Sequence, residues 1–267
     1  TGAHNLKNDF IESKTLLNLD SEEEGSIYVG CSGGRDTLAT FKIGYEKAPG
    51  ATVAMNLVVK GLRGGHSGLE IDKKRANAIK ILNRLLVRLG EIGVRLSSID
   101  GGNKRNAIPR ECGAVVFAPK AKIGNARKIV EDFLAVVKGE FGTVEPDLAI
   151  LFAENAKLQK SKVMKKTDQQ LLGKVIASLP HGVLMMSSDI PGLVETSTNV
   201  AVINTTGKGV LLATSQRSSV MSELDEAVET VSSTLQLAGA KVESTDGYPG
   251  WKPNLQSPIL KLAKDTY

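Results

Sequence analysis

Cysteine is nearly missing from this chain: Cys31 and Cys112 are its only two, and they do not form a C-x-x-C pair. Two thiols in 267 residues exclude a disulfide framework and point to a reducing, cytoplasmic compartment. Histidine is as scarce. His4, His66 and His181 stand far apart and no H-x-D occurs, so the sequence holds no self-sufficient zinc site, which needs several converging ligands. Aromatic residues are few: four Tyr, six Phe and one Trp, none of them inside the Lys/Arg-rich stretches. That removes the stacking platform a nucleic-acid binder would use and leaves the core to Val, Leu, Ile and Ala. The net charge of +5 is mild, with basic and acidic residues interspersed. No apolar run approaches the ~20 residues of a membrane span, and the N-terminus lacks the apolar stretch of a signal peptide.

What the chain does have is glycine at particular places. Lys60-Gly-Leu-Arg-Gly-Gly-His66-Ser-Gly-Leu-Glu70 carries Gly61, Gly64, Gly65 and Gly68 around one of the three histidines. Glycine admits φ > 0 and leaves room for a close approach by a ligand. The stretch lies between an expected strand, Thr52–Lys60, and a helix expected from about Lys73. His66 therefore sits on a strand-to-helix loop, where functional side chains concentrate. It reads either as a functional imidazole or as a structural one. A second stretch, Leu19-Asp20-Ser-Glu-Glu-Glu24-Gly25, follows the apolar pair Leu16-Leu17. Its carboxylates suit a divalent metal, and they equally suit a solvated acidic turn. If Asp20 is buried, it needs a metal or a cation beside it.

Periodicity organises the rest. From Lys73 to Leu89, Ala78, Ile81, Leu82, Leu85, Leu86 and Leu89 form an apolar stripe at helical spacing with a basic opposite face. Arg95–Ile99 and Cys112–Ala118 read as strands and Ala126–Val137 as a second helix. The pattern then recurs: a strand at Asp147–Phe152, a helix at Asp168–Leu179, a hairpin of Asn199–Ile203 and Val210–Gln216, and a closing helix at Glu223–Leu237. This predicts an α+β fold of two βαββα, ferredoxin-like halves, at about 51–142 and 147–240. Their strands should join into one antiparallel sheet with the helices on one face.

Five segments taken in order, Asp20–Gly25, Gly61–Gly68, Arg105–Arg110, Val194–Val200 and Gly247–Pro253, resemble the M20 metallopeptidases, and within them the dipeptidase branch that cleaves Xaa-His dipeptides. The resemblance extends over the whole chain. It implies a lid domain, residues 41–246, borne on an α/β zinc-peptidase catalytic domain. Residues 1–40 and 247–267 would be stubs of that domain, short of sheet partners and either frayed or paired with one another or with a second molecule. In the family two zinc ions are held by a His-x-Asp pair, a bridging Asp, a Glu-Glu pair that includes the general base, a later Asp and a C-terminal His. Only the later Asp has a match here, Asp20, with Glu22 to Glu24 as neighbours. The other ligands would lie before Thr1 and after Tyr267, so this stretch alone should hold no zinc and be inactive. Which divalent metal serves the whole enzyme is left open.

The resemblance further implies that His66 donates to the developing oxyanion and that Asn199 and Arg217 bind the dipeptide backbone and its C-terminal carboxylate. Each has a plainer reading: Arg217 as a surface strand residue, Asn199 as a turn cap. Asn106 reads as a turn residue ahead of Pro109. Tyr248 and Trp251 read as stiffeners of a loop already fixed by Pro249 and Pro253. The implied partner is a dipeptide, with no nucleic acid and no membrane. A homodimer is open, since many members dimerise through a smaller lid, and a doubled lid can imitate that dimer in one chain. The rival expectation is a non-catalytic lid or dimerisation module, or a degenerate scaffold paralogue.

Overall fold

The computed structural model describes residues 25–158 and 162–266, together with Phe10, Glu12, Ser13 and Thr15. Strand β1 (Gly33–Phe41) and the short β2 (Tyr45–Lys47) precede β3 (Thr52–Lys60), which spans the expected residues. The two-residue β4 (Gly65–His66) leads towards helix α1 (Ala78–Glu91). Then come β5 (Arg95–Gly101), β6 (Ala107–Ile108), β7 (Cys112–Pro119), α2 (Ile123–Phe141) and β8 (Ala149–Glu154). The remainder is β9 (Lys162–Met164), α3 (Lys166–Ser178), β10 (Gly182–Met186), β11 (Val194–Thr206) and β12 (Gly209–Ser218). Helix α4 (Met221–Leu237), β13 (Lys241–Ser244) and α5 (Pro258–Thr266) close the chain.

Every residue of the apolar stripe in α1 is buried, as its spacing predicts. The helix starts later than Lys73 because Asn77 stops it there. Asn77 is extended, and its side chain accepts from the N–H groups of Ile79 and Lys80 at 3.0 and 3.2 Å, taking two of the helix's orphan donors. Lys74, at φ +53°, stands outside helical geometry. Leu82, Leu85 and Leu89 are fully buried. Truncating any one of them to Ala should cost about 2–5 kcal/mol.

Nine strands form one sheet, in the order β13-β1-β12-β11-β5-β7-β3-β8, with β10 on the far end of β11. Every pairing in it is antiparallel. Within the run β3-α1-β5-β7-α2-β8 the spatial order is fourth, first, third, second strand. The run β1-α3-β11-β12-α4-β13 repeats that order, so two ferredoxin-like units are joined edge to edge. The seam is the β5–β11 pairing, Gly101↔Ile203 and Asp100↔Asn204, strengthened by Thr205, whose hydroxyl bonds both the N–H and the C=O of Ile99. The helices lie in a row, α2 beside α1, α1 beside α3 and α3 beside α4, over one face and a single main core.

Two sequence expectations change here. The motif resemblance assigns residues up to Thr40 to a catalytic-domain stub, yet Gly33–Phe41 is hydrogen-bonded on both sides, to β12 and β13. Thr37, Ala39 and Phe41 are buried on its helix side, so its polar-looking sequence is an interior strand. The strand read as opening the second half pairs instead with β3, Lys60↔Ala149 through Met55↔Glu154. The first unit is thus inserted between β1 and α3 of the second. Beyond β13 the connector continues along the same edge of β1 through Tyr248↔Gly34 and Trp251↔Cys31. The pair β2–β9 stands apart as a small ribbon, Tyr45↔Met164 to Lys47↔Lys162.

Candidate functional site

The candidate site lies on the helix-free face of the second unit. Val210 and Leu212 of β12 enter the helix-side core, so Ser215 and Arg217 project the other way. Register places Asp36, Ser215 and Asn199 in one row across β1, β12 and β11, and Gly34, Arg217 and Ser197 in the next. Over these rows lies a ribbon from the first unit, β4 with β6, in which His66 pairs with Ala107. The Asn199 side-chain amide donates to the Ala107 carbonyl at 2.8 Å, and Ser67 N–H donates to the Asn106 carbonyl at 2.9 Å. Arg105 and Asp36 form an ion pair at 3.0 Å, a further bond between the units.

His66 is held in one state. Its Nδ1 accepts from the N–H groups of Gly68 and Leu69, both at 3.2 Å, which leaves the ring proton on Nε2. Burial lowers its pKa below the usual 6.5 and the charge of Arg217 lowers it further, against a smaller opposing effect of Glu70. The imidazole is therefore a neutral N–H donor at physiological pH. Glu70 accepts the His66 backbone N–H at 2.8 Å and is clamped by Arg75 at 2.5 Å. A Cβ built on Gly68 would lie 3.2 Å from His66 Cε1 and 3.3 Å from Arg217 Nη1, so these two side chains meet on either side of that one glycine.

The loop bearing His66 is fastened from beneath. Glu145 is fully buried, and its two carboxylate oxygens accept from Arg63 N–H at 2.7 Å and Ala76 N–H at 3.0 Å, one near each end of the loop. Gly61 enters that loop at φ +79° with its α-carbon pressed on the carbonyl of Asp147; a Cβ would come within 2.0 Å of that oxygen. Only glycine fits there.

Beside Arg217 opens a cavity of about 480 Å³, lined among others by Asp36, Arg105, Asn106, Ser215 and Tyr248. Three buried polar atoms around this region have no hydrogen-bond partner: Ser67 Oγ, Asn199 Oδ1 and Arg217 Nε. Unpaired buried groups cost free energy, so a cluster of them marks a place where something else supplies the bonds.

The structure brings together His66, Asn199 and Arg217, which lie far apart in the chain. Asn199 spends its N–H₂ on the histidine ribbon and keeps its oxygen without a partner, so it supports the ribbon with an acceptor to spare. Asn106, read as a turn residue, also lines the cavity. Sequence reasoning passed over Ser67, Ser215, Asp36 and Glu145. Ser67 could have been found from its place beside His66; Glu145 carries no local signal. Asp20 and the run Glu22–Glu24 lie outside the described residues. Among the described residues no three His, Cys, Asp or Glu side chains converge on a common point. The zinc that the sequence resemblance implies finds no ligand set there.

Residues 57–145 match the family model of a peptidase dimerisation domain of the M20 type. The whole chain is 36% identical, over 267 residues, to the cytosol non-specific dipeptidase of Escherichia coli (strain K12), of which it covers 55%. It superposes on the crystal structure of aminoacylhistidine dipeptidase from Vibrio alginolyticus with a TM-score of 0.93 and 36% identity, covering 100% of this chain and 54% of that one. The chain thus spans about half the length of these relatives.

Proposed function

We propose that this chain is an M20 peptidase piece and that it supplies the substrate-gripping lid of a metal-dependent dipeptidase working in the cytoplasm on short peptides, Xaa-His dipeptides among them. The observation that carries this reading is the set of unpartnered donors and acceptors around a neutral imidazole. The guanidinium of Arg217 takes the peptide's C-terminal carboxylate, for which its planar fork is suited. Asn199 Oδ1 accepts a backbone N–H of the peptide. His66 Nε2–H donates to the carbonyl oxygen as it gains charge, an interaction strongest in a site closed to water. Zinc, two ions in the whole enzyme, is the metal the motif resemblance favours, with Asp20 the one ligand this chain would offer. The described residues alone are then expected to hold no metal and to hydrolyse nothing.

A purely structural dimerisation module is the rival. Pairing through β5 is already taken by β11 of the same chain, which leaves β8, β10 and β13 as the edges open to a second copy among the described residues. The deciding experiment compares the full-length protein with its Arg217→Ala variant on a dipeptide and on the same dipeptide amidated at its C-terminus. The proposal expects KM for the free-carboxylate substrate to rise about 10²-fold, as for loss of a charge-assisted bidentate pair, with the amide little affected. An equal effect on both substrates, or no hydrolysis by the wild-type protein, would remove it.

A further inference from the structure

Tyr248 stands at the meeting point of the connector and the binding arginine. Its hydroxyl accepts from Arg217 Nη1 at 3.0 Å. Its backbone bonds Gly34 in both directions at 3.0 Å, and Thr245 and Trp251 bond Asp36 and Cys31 on either side, so residues 245–251 are stitched along β1. The phenol end of the ring packs directly on Gly34: a Cβ there would come within 2.8 to 3.0 Å of Oη, Cζ and Cε1. Only a glycine floor lets the ring reach across β1 to the arginine on β12.

The consequence lies in which edge of the guanidinium is taken. Nη1 is on the same side as Cδ, and Tyr248 occupies it. The opposite edge, Nε–H with Nη2–H, is the one that grips a carboxylate side-on through two parallel bonds. Nε on that edge is buried and unpartnered. Arg217 is a long side chain whose free rotation would blur such a fork.

We propose that Tyr248 is a positioning residue: by holding Nη1 it turns the Nε/Nη2 edge of Arg217 towards the substrate carboxylate, and it ties that orientation to the connector leaving the sheet. This rests on the reading of Arg217 as the carboxylate-binding group. Tyr248 touches no reacting atom, and its effect is on binding rather than on turnover.

The test is Tyr248→Phe in the full-length protein, which keeps the ring over Gly34 and removes only the hydroxyl. KM for a free-carboxylate dipeptide should rise about tenfold, the scale of one hydrogen bond to a charged group. The value of kcat and both constants for the C-terminal amide should stay within about twofold. In an Arg217→Ala background the same substitution should do nothing further. Gly34→Ala, which displaces the ring, should reproduce the effect. A second readout needs no substrate: the ¹⁵N-resolved guanidinium signals of Arg217, assigned by their loss in Arg217→Lys, should show hindered rotation in the wild type and free rotation in Tyr248→Phe. Unchanged guanidinium signals, or an equal rise in KM with and without Arg217, would overturn the proposal. If Arg217→Ala leaves the preference for the free carboxylate intact while Tyr248→Phe frees the guanidinium, the carboxylate reading has failed and the positioning contact stands.

Discussion

Replacing Glu145 with alanine is expected to release the loop of His66 at both ends. Nothing reacts at Glu145; its carboxylate is fully buried and holds two backbone amides, those of Arg63 and Ala76, at 2.7 and 3.0 Å. Hydrogen bonds to a charged group contribute about 1.5–3 kcal/mol each, and the deletion also leaves a small cavity costing about 1 kcal/mol, so the gross loss is about 4–7 kcal/mol. Relief from burying a carboxylate offsets part of this and brings the expected net cost to about 3–5 kcal/mol. Domains of this kind are stable by only about 5–15 kcal/mol, so the variant should fold with little to spare. Glu145→Gln keeps one acceptor and turns an N–H₂ towards the other amide, and should fall between the two. Urea unfolding measures the total, and hydrogen exchange at the amides of residues 63 and 76 measures the local effect. Both amides should lose protection well before the strands of the core. A loss below about 1 kcal/mol, or exchange that quickens in α2 while the loop stays protected, would refute the account of Glu145 as the loop's fastening.

Two further outcomes follow from the histidines. His66→Ala in the full-length protein should lower kcat about 10²–10³-fold with little change in KM, as for loss of one oxyanion donor, measured by steady-state hydrolysis of a dipeptide. Since burial and the charge of Arg217 hold the His66 pKa below 6.5, activity should persist into mild acid, and Arg217→Ala should move the acid limb of kcat to higher pH by removing that charge. His181 is a test of stability. Burial, with a smaller contribution from the charge of Lys80, lowers its pKa from 6.5 to about 4, so the folded ring stays neutral where the unfolded ring takes a proton. Stability should therefore fall as pH drops from about 6.5 to about 4, by at most about 3 kcal/mol and by less where water reaches this half-buried ring. His181→Asn should flatten that slope in urea titrations across the same range.

Elements with a strong period were legible from residues alone. The stripe of α1, the alternation of β3 and β7 and the long β11–β12 hairpin all announce their local structure. Pairing was not legible, because nothing in Gly-Gly-Arg-Asp-Thr-Leu-Ala-Thr-Phe says that it lies between two strands far along the chain, as the bond from Thr37 to Gln216 across 179 positions shows. The same limit hid the insertion of one unit in the other. In the site, glycine spacing singled out His66, but the meeting of His66 with Arg217 needed the motif resemblance, since it depends on two units closing on each other. Glu145 was invisible for a different reason: its partners are main-chain amides, which leave no mark on sequence.

The small ribbon of β2 and β9 bears on how such a chain reaches its fold. Strand β1 is made early, yet its partners β12 and β13 come only after the whole first unit. A loop that long would make the pairing slow to find. Tyr45↔Met164 and Lys47↔Lys162, together with Lys165 N–H bonded to the Gly44 carbonyl at 2.7 Å, pinch the excursion shut at its neck. Once the first unit has folded and the neck has closed, the effective path from β1 to α3 shrinks from more than a hundred residues to a handful, and the late pairing becomes a nearly local search.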